Sequence, residues 1–259
     1  MYGETDGGVP PEARDEQPYT PKEITSEKDL VQFWLTYDKN NNEALVDPKQ
    51  ELQRAEELTK NSLEKQKKPD DLRHFWGITD GDQMIATGMA RILVVNGIKF
   101  GYSGLLTVNQ EKTEAQKQEN KKRKLHDRIT DAGEAWAKTE GCDYFSASVN
   151  CDNPLGLQIK LNRDYQLNEL ITSQPDEEDK VHQWFNVVKR ANGPKEHMTE
   201  SQDVQLSDLV TIQKLLGEGW VGTKIVSTDT KKTSKKPENW MLTMQKPESS
   251  DSPLPKIGG

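Results

Sequence analysis

The chain is short of the residues that build cores. Only 32% of its 259 residues are apolar against a usual ~45–50%, and 30% are charged. Sizeable stretches therefore bury nothing. Two cysteines, Cys142 and Cys151, are too few for a disulfide framework, and no His and Cys spacing resembles a zinc site, so no metal is expected. A reducing, cytoplasmic setting is the expectation. No apolar run approaches the ~18 residues that a membrane span needs, and residues 1–11 lack the basic and apolar regions of a secretory leader. Positive charge is scarce as well: 35 Lys and Arg stand against 43 Asp and Glu, a net charge of −8. That balance argues against nucleic acid or an anionic membrane as partner, because phosphate binding needs a positive surface. The local exceptions are the basic runs at 121–124 and 231–236.

What is present falls into recognisable segments. Residues 1–22 are acidic, rich in Pro and Gly and without hydrophobic periodicity, and are expected to be a disordered tail. Ser26 with Asp29 stands at capping-box distance before Leu30, Phe33, Trp34 and Tyr37, which predicts a first helix. Asp47-Pro48 opens a second, more polar helix through Leu52, Ala55, Leu58 and Leu63, ending in basic residues that suit a helix C-terminus. From His74 the period becomes extended. Two turn signals, Asp80-Gly81-Asp82 and Asn96-Gly97, divide 74–108 into a three-stranded antiparallel meander, Asn-Gly being the residue pair that a type I′ hairpin turn demands. Residues 109–124 are polar. Leu125, Ile129, Ala132 and Trp136 then carry the apolar stripe of a helix over about 122–139, ended by Gly141.

Tyr144 to Val149 reads as a strand, Asn153-Pro154 starts another helix, and 181–188 supplies a final strand. A strand, helix, strand succession of this kind implies a parallel pair within an otherwise antiparallel sheet. The expected organisation is a main domain over 23–190, a linker over 191–204, a small helix and hairpin unit over 205–246, and a disordered tail over 247–259.

This order of elements is that of the Gcn5-related N-acetyltransferase (GNAT) superfamily, and three local pieces resemble it. Residues 75–88 are similar to the family's strand, acidic turn and glycine-bearing strand. Residues 133–143 look like the end of its third helix. Residues 153–165, Asn153-Pro-Leu-Gly-Leu-Gln-Ile-Lys-Leu-Asn-Arg-Asp-Tyr165, follow its pattern of Asn, small residue, aliphatic, Tyr and then Asn-Gly-Phe. The resemblance covers about 25–190 and implies an α+β fold: a GNAT-like mixed sheet, an antiparallel meander followed by a parallel pair with a crossover helix, plus the small C-terminal unit.

The resemblance also implies chemistry: transfer of an acetyl group from acetyl-coenzyme A to a primary amine on a small molecule or peptide. The cofactor would pair with the strand bearing Leu106 and Val108 and meet Asn150 and Asn153. Its pyrophosphate would sit on a glycine-rich turn that aligns with residues 120–125, where both glycines are absent. Lys121, Lys122, Arg123 and Lys124 stand there instead, either gripping phosphates through side chains or forming a solvated, basic helix extension. The family's proton-donating tyrosine aligns with Lys160, which would serve either as a donor or as a surface lysine. Asp164 replaces the glycine before the aromatic. Tyr102, Asp127 and Asp152 lie near the expected cleft, Tyr102 being the preferred second catalytic candidate. His126 reads as a helix surface residue, Cys142 and Cys151 as small core or turn residues, and Asn153 equally as a helix cap. The missing phosphate loop leaves a second reading, a binding or scaffold protein of the same fold. The oligomeric state stays open.

Overall fold

In the computed structural model, which describes residues 19–41, 47–66, 72–108, 124–175, 180–192, 196–229, 234, 236–248 and 254–257, local signals set the element ends. Ser26 Oγ accepts from Asp29 N at 3.1 Å and donates to Asp29 Oδ2 at 2.7 Å, opening α1 (Glu27–Asn41). Asp47 Oδ1 accepts from Lys49 N at 3.0 Å at the start of α2 (Pro48–Gln66). Asn96 and Gly97, at φ 52° and 79°, join β3 (Gln83–Val95) to β4 (Ile98–Val108), as the Asn-Gly signal requires. With β2 (Arg73–Asp80) these strands form the expected meander.

The chain continues through α3 (Leu125–Thr139), β5 (Tyr144–Asn150), α4 (Pro154–Leu161), β6 (Gln166–Thr172) and β7 (Gln183–Arg190). Beyond these come β8 (Met198–Gln205), α5 (Leu209–Gly217), β9 (Val221–Ser227) and β10 (Trp240–Pro247); β1 (Lys22–Glu23) precedes them all. Among the described residues, one mixed sheet runs β1-β2-β3-β4-β5-β7-β6-β9-β10-β8, with β4 and β5 parallel and the other pairs antiparallel. This is the α+β, GNAT-like arrangement that the resemblance implies.

Strand alternation divides the side chains between two faces. Phe75 meets Phe33 of α1 at 5.1 Å between ring centroids. Its neighbours Trp76 and Ile78 pack instead with Leu125 and Ile129 of α3. Helices α1 and α3 therefore cover opposite faces of the meander. Phe33 and Trp34 are core residues, and Trp136 stacks on His74 at 4.3 Å.

Four expectations are corrected. Lys22, placed at the end of the N-terminal tail, pairs with Gly77 of β2, and Glu23 beside it pairs with Trp76. The strand β6 stands between α4 and β7 where none was expected. The linker expected over 191–204 contains most of β8, which pairs with β10. Leu254, placed in the C-terminal tail, is buried against Phe100 and Val188, and Pro255 O accepts from Asn168 Nδ2 at 3.0 Å. The helix and hairpin unit shares its core with the rest of the chain: Leu206, Ile212, Trp220, Trp240 and Leu242 lie in one cluster with Leu157, Leu161, Leu167 and Phe185.

Candidate active site

Strands β4 and β5 pair over three positions only, Phe100↔Tyr144, Gly101↔Phe145 and Tyr102↔Ser146. Both strands continue past that point, β4 to Val108 and β5 to Asn150, without a register partner between them. A bulge bends β4 away: Leu105 and Leu106 stand opposite the single residue Gly88 of β3, and Leu105 adopts φ 50°. Two glycines let α3 lie close beside the gap. A methyl at Gly88 would lie 2.1 Å from Ile129 Cγ2, and one at Gly101 would lie 2.4 Å from Ala137 Cβ.

Lys160 reaches this gap from α4. The helix buries Pro154, Leu157 and Leu161 at helical spacing, and Lys160, beside Leu161 on that face, is itself only 7% exposed. Its Nζ donates to Ser103 Oγ at 3.4 Å and lies 5.2 Å from the centre of the Tyr165 ring. Burial pushes its pKa down to about 8; Glu134 works against that shift, while Arg163 and Lys189 add to it. The side chain is thus poised to exchange a proton near neutrality.

A polar cluster backs this lysine. Glu134 accepts from Tyr165 Oη at 2.9 Å and from Lys189 Nζ at 2.7 Å. Arg163, in the turn after α4, pairs with Asp127 at 3.0 Å and also with Asp131, tying that turn to α3. Tyr165 is almost fully buried, and burial first and Glu134 second raise its phenol well above its ordinary value. His126, in the first turn of α3, has its Nδ1 buried without a hydrogen-bond partner among the described residues. Burial, then the Lys160 charge, hold its pKa below the usual value, against the opposing pull of Asp127.

The other sequence candidates fall out differently. Tyr102 precedes Ser103 and so points to the opposite face, where its ring covers Gly104 and takes the Arg91 guanidinium at 4.9 Å. It is not brought together with Lys160. Leu106 packs toward α3 with Val108 on the part of β4 that is paired to β3 but not to β5. Lys124 is exposed and left-handed at φ 51°, at the N-terminal boundary of α3. Lys121, Lys122 and Arg123, with residue 120 of the proposed phosphate turn, lie outside the described residues. Asn150 Oδ1 accepts from Asp152 N at 2.8 Å, and Asn153 Oδ1 caps α4 from Gly156 N at 2.9 Å, so both side-chain oxygens serve the turn. Asp164 takes φ 65°, the conformation for which the family pattern has glycine. Cys142 and Cys151 are buried and their thiols are pushed up to about 11 and about 12, foremost by burial.

Ser103, His126 and Glu134 were not among the sequence candidates. The signal available for Ser103 was its parity with Gly101; His126 adjoins the Leu125 stripe, but the Lys160 charge that acts on it is remote in sequence.

No protein-family model and no curated protein sequence matches the chain. Solved structures similar to it are acetyltransferases. One, of the GNAT family and from Desulfovibrio desulfuricans, is 11% identical, with 67% of this chain and 99% of that one covered and a TM-score of 0.46. The ribosomal-protein-S18-alanine N-acetyltransferase of Escherichia coli is 10% identical over 70% and 99% of the two chains, with a TM-score of 0.44. A chain of the NatC complex bound to Gag peptide and CoA is 10% identical over 67% and 98%, with a TM-score of 0.46. At these identities the strand order of the chain itself carries the fold.

Proposed function

We propose that the chain is a GNAT-type N-acetyltransferase that takes acetyl-coenzyme A and a primary amine. The observation that supports this most is the buried Lys160 ammonium, 3.4 Å from Ser103 Oγ, at the point where β4 and β5 part. That is where the resemblance puts the proton donor. Acetyl-coenzyme A supplies a thioester whose acyl carbon forms a C–N bond with the amine as its C–S bond breaks.

The work of the chain's own residues is positioning and proton supply. The β4 edge from Ser103 to Val108, unpaired toward β5, would take the amide groups of the cofactor's arm as a strand takes a partner. Lys160 Nζ would hold the proton for the departing sulfur, and Ser103 Oγ orients that ammonium. An amine that arrives as ammonium gives one proton to water before it attacks and a second as the amide forms. These residues fit the thioester end. Asn150 and Asn153 fit less well, since their oxygens are engaged in the turn.

Calorimetry with millimolar acetyl-coenzyme A, followed by release of free thiol in the presence of a primary amine, tests this reading. Binding heat is expected, and thiol release should drop about 100-fold or more in Lys160→Met, the usual range for a general acid. No heat and no shift in melting temperature would end it. A second reading, a scaffold of the same fold, is favoured by Lys160 itself occupying the gap; it predicts no thiol release under any condition.

A further inference from the structure

The face of the sheet turned away from α3 and α4 carries a second polar array beside the same gap. Ser146 is the last β5 residue paired to β4, and alternation puts Ser148 on the same face two residues on, where β5 flanks the opening. The register sets Asn186 of β7 opposite Ser148, and Glu169 of β6 opposite Asn186. Three adjacent strands thus contribute one side chain each to a single line. Ser148 Oγ donates to Asn186 Oδ1 at 2.6 Å, and Asn186 Nδ2 donates to Glu169 Oε2 at 3.0 Å. Asn186 is 1% exposed, whereas Ser148 is open to solvent.

The direction of these bonds has a chemical consequence. The carboxylate draws on the Asn186 amide N–H, which enriches the amide oxygen, which in turn polarises the Ser148 O–H. With its proton committed inward, Ser148 Oγ presents lone pairs outward at the rim of the gap. A ligand that binds there must donate a hydrogen bond to Ser148 Oγ, as the N–H of an amine does. The opposite face is occupied by α3, α4 and the buried Lys160 cluster, so a donor arriving at Ser148 comes from the α1 side.

We infer that the Glu169–Asn186–Ser148 line is the seat of the acceptor's primary amine, with Ser148 Oγ accepting its N–H and Glu169 supplying the negative charge that favours a cationic ligand. In naming the amine as acceptor, this rests on the acetyl-transfer reading. The two are separable by experiment. The isotope-labelled full chain is titrated with n-butylamine while the Asn186 side-chain amide and the Ser148 backbone amide are followed by NMR. Saturable shifts at both are expected, and they should weaken about tenfold in Ser148→Ala and in Glu169→Gln, the loss of one hydrogen bond. In turnover, KM for the amine should rise by the same factor with kcat nearly unchanged. Shifts that are absent, or equal in Ser148→Ala, overturn the inference even where acetyl-coenzyme A binds. Amine shifts at these positions without acetyl-coenzyme A binding sustain the amine site and remove the acetyl-transfer reading. Because Ser148 is exposed, that variant tests the site even if Glu169→Gln unfolds.

Discussion

Lys160 sets stability against chemistry. Its pKa is lowered from 10.5 to about 8 by burial, so between those values the unfolded chain binds the extra proton. Stability from this group therefore rises with pH across that window and is lowest below pH 8. Replacing Lys160 by Met should stabilise the protein by about 1–3 kcal/mol at pH 7, with the gain fading toward zero above pH 10.5. Urea unfolding of both proteins at the two pH values measures it, and a destabilised Lys160→Met at pH 7 would show that the Ser103 and Tyr165 contacts outweigh desolvation. In the same picture, turnover falls as pH rises through about 8, because the proton donor is lost. The spacing from Leu157 to Leu161 made burial of this part of α4 legible, but a lysine at such a position reads as surface. What decides it is Ser103, 57 residues away in sequence.

Among the elements, those with a local chemical signature were legible. Ser26, Asn96-Gly97, Asn153 and Asp208 each stand where a cap or turn needs them, and Asp208 Oδ1 accepts from Thr211 N at 3.1 Å at the start of α5. The strands that went unread lack such a signature. β8 buries Val204 while most of its other residues are exposed, so it shows no alternation, and a bulge at Asn168 breaks the period of β6. Two substitutions separate local from tertiary determinants. Asn153→Ala removes the α4 cap and should cost about 1 kcal/mol, largely restored by Asn153→Ser. Gly88→Ala forces a methyl against Ile129 at 2.1 Å and should cost about 1–3 kcal/mol by pushing α3 off β3. Thermal unfolding gives both costs. An Asn153→Ala protein that keeps its stability but loses acetyl-coenzyme A binding would instead return Asn153 to the cofactor.

At the scale of the whole molecule, the C-terminal unit is part of the architecture beneath the candidate site. The sheet crosses into it through one register pair, Leu167↔Gly222, yet the core is continuous. Helix α4, which carries Lys160, packs on β9 as well as on β5, β6 and β7. Trp240 is fully buried in that shared core, and its Nε1 donates to Ser234 O at 2.9 Å. Sequence composition set residues 205–246 apart because they follow a polar stretch. It could not show that Ile212, Trp220 and Leu242 face Leu157 and Leu161, since contacts across such separations leave no local periodicity. Trp240→Ala should therefore cost about 3–5 kcal/mol and lower the one unfolding transition of the entire chain. Two transitions, with only one displaced, would instead mark an independent unit. Because β9 supports α4, the same variant should loosen the burial of Lys160 and raise its pKa toward 10.5. The alkaline limb of turnover would then move upward in Trp240→Ala without any residue at the gap having been changed.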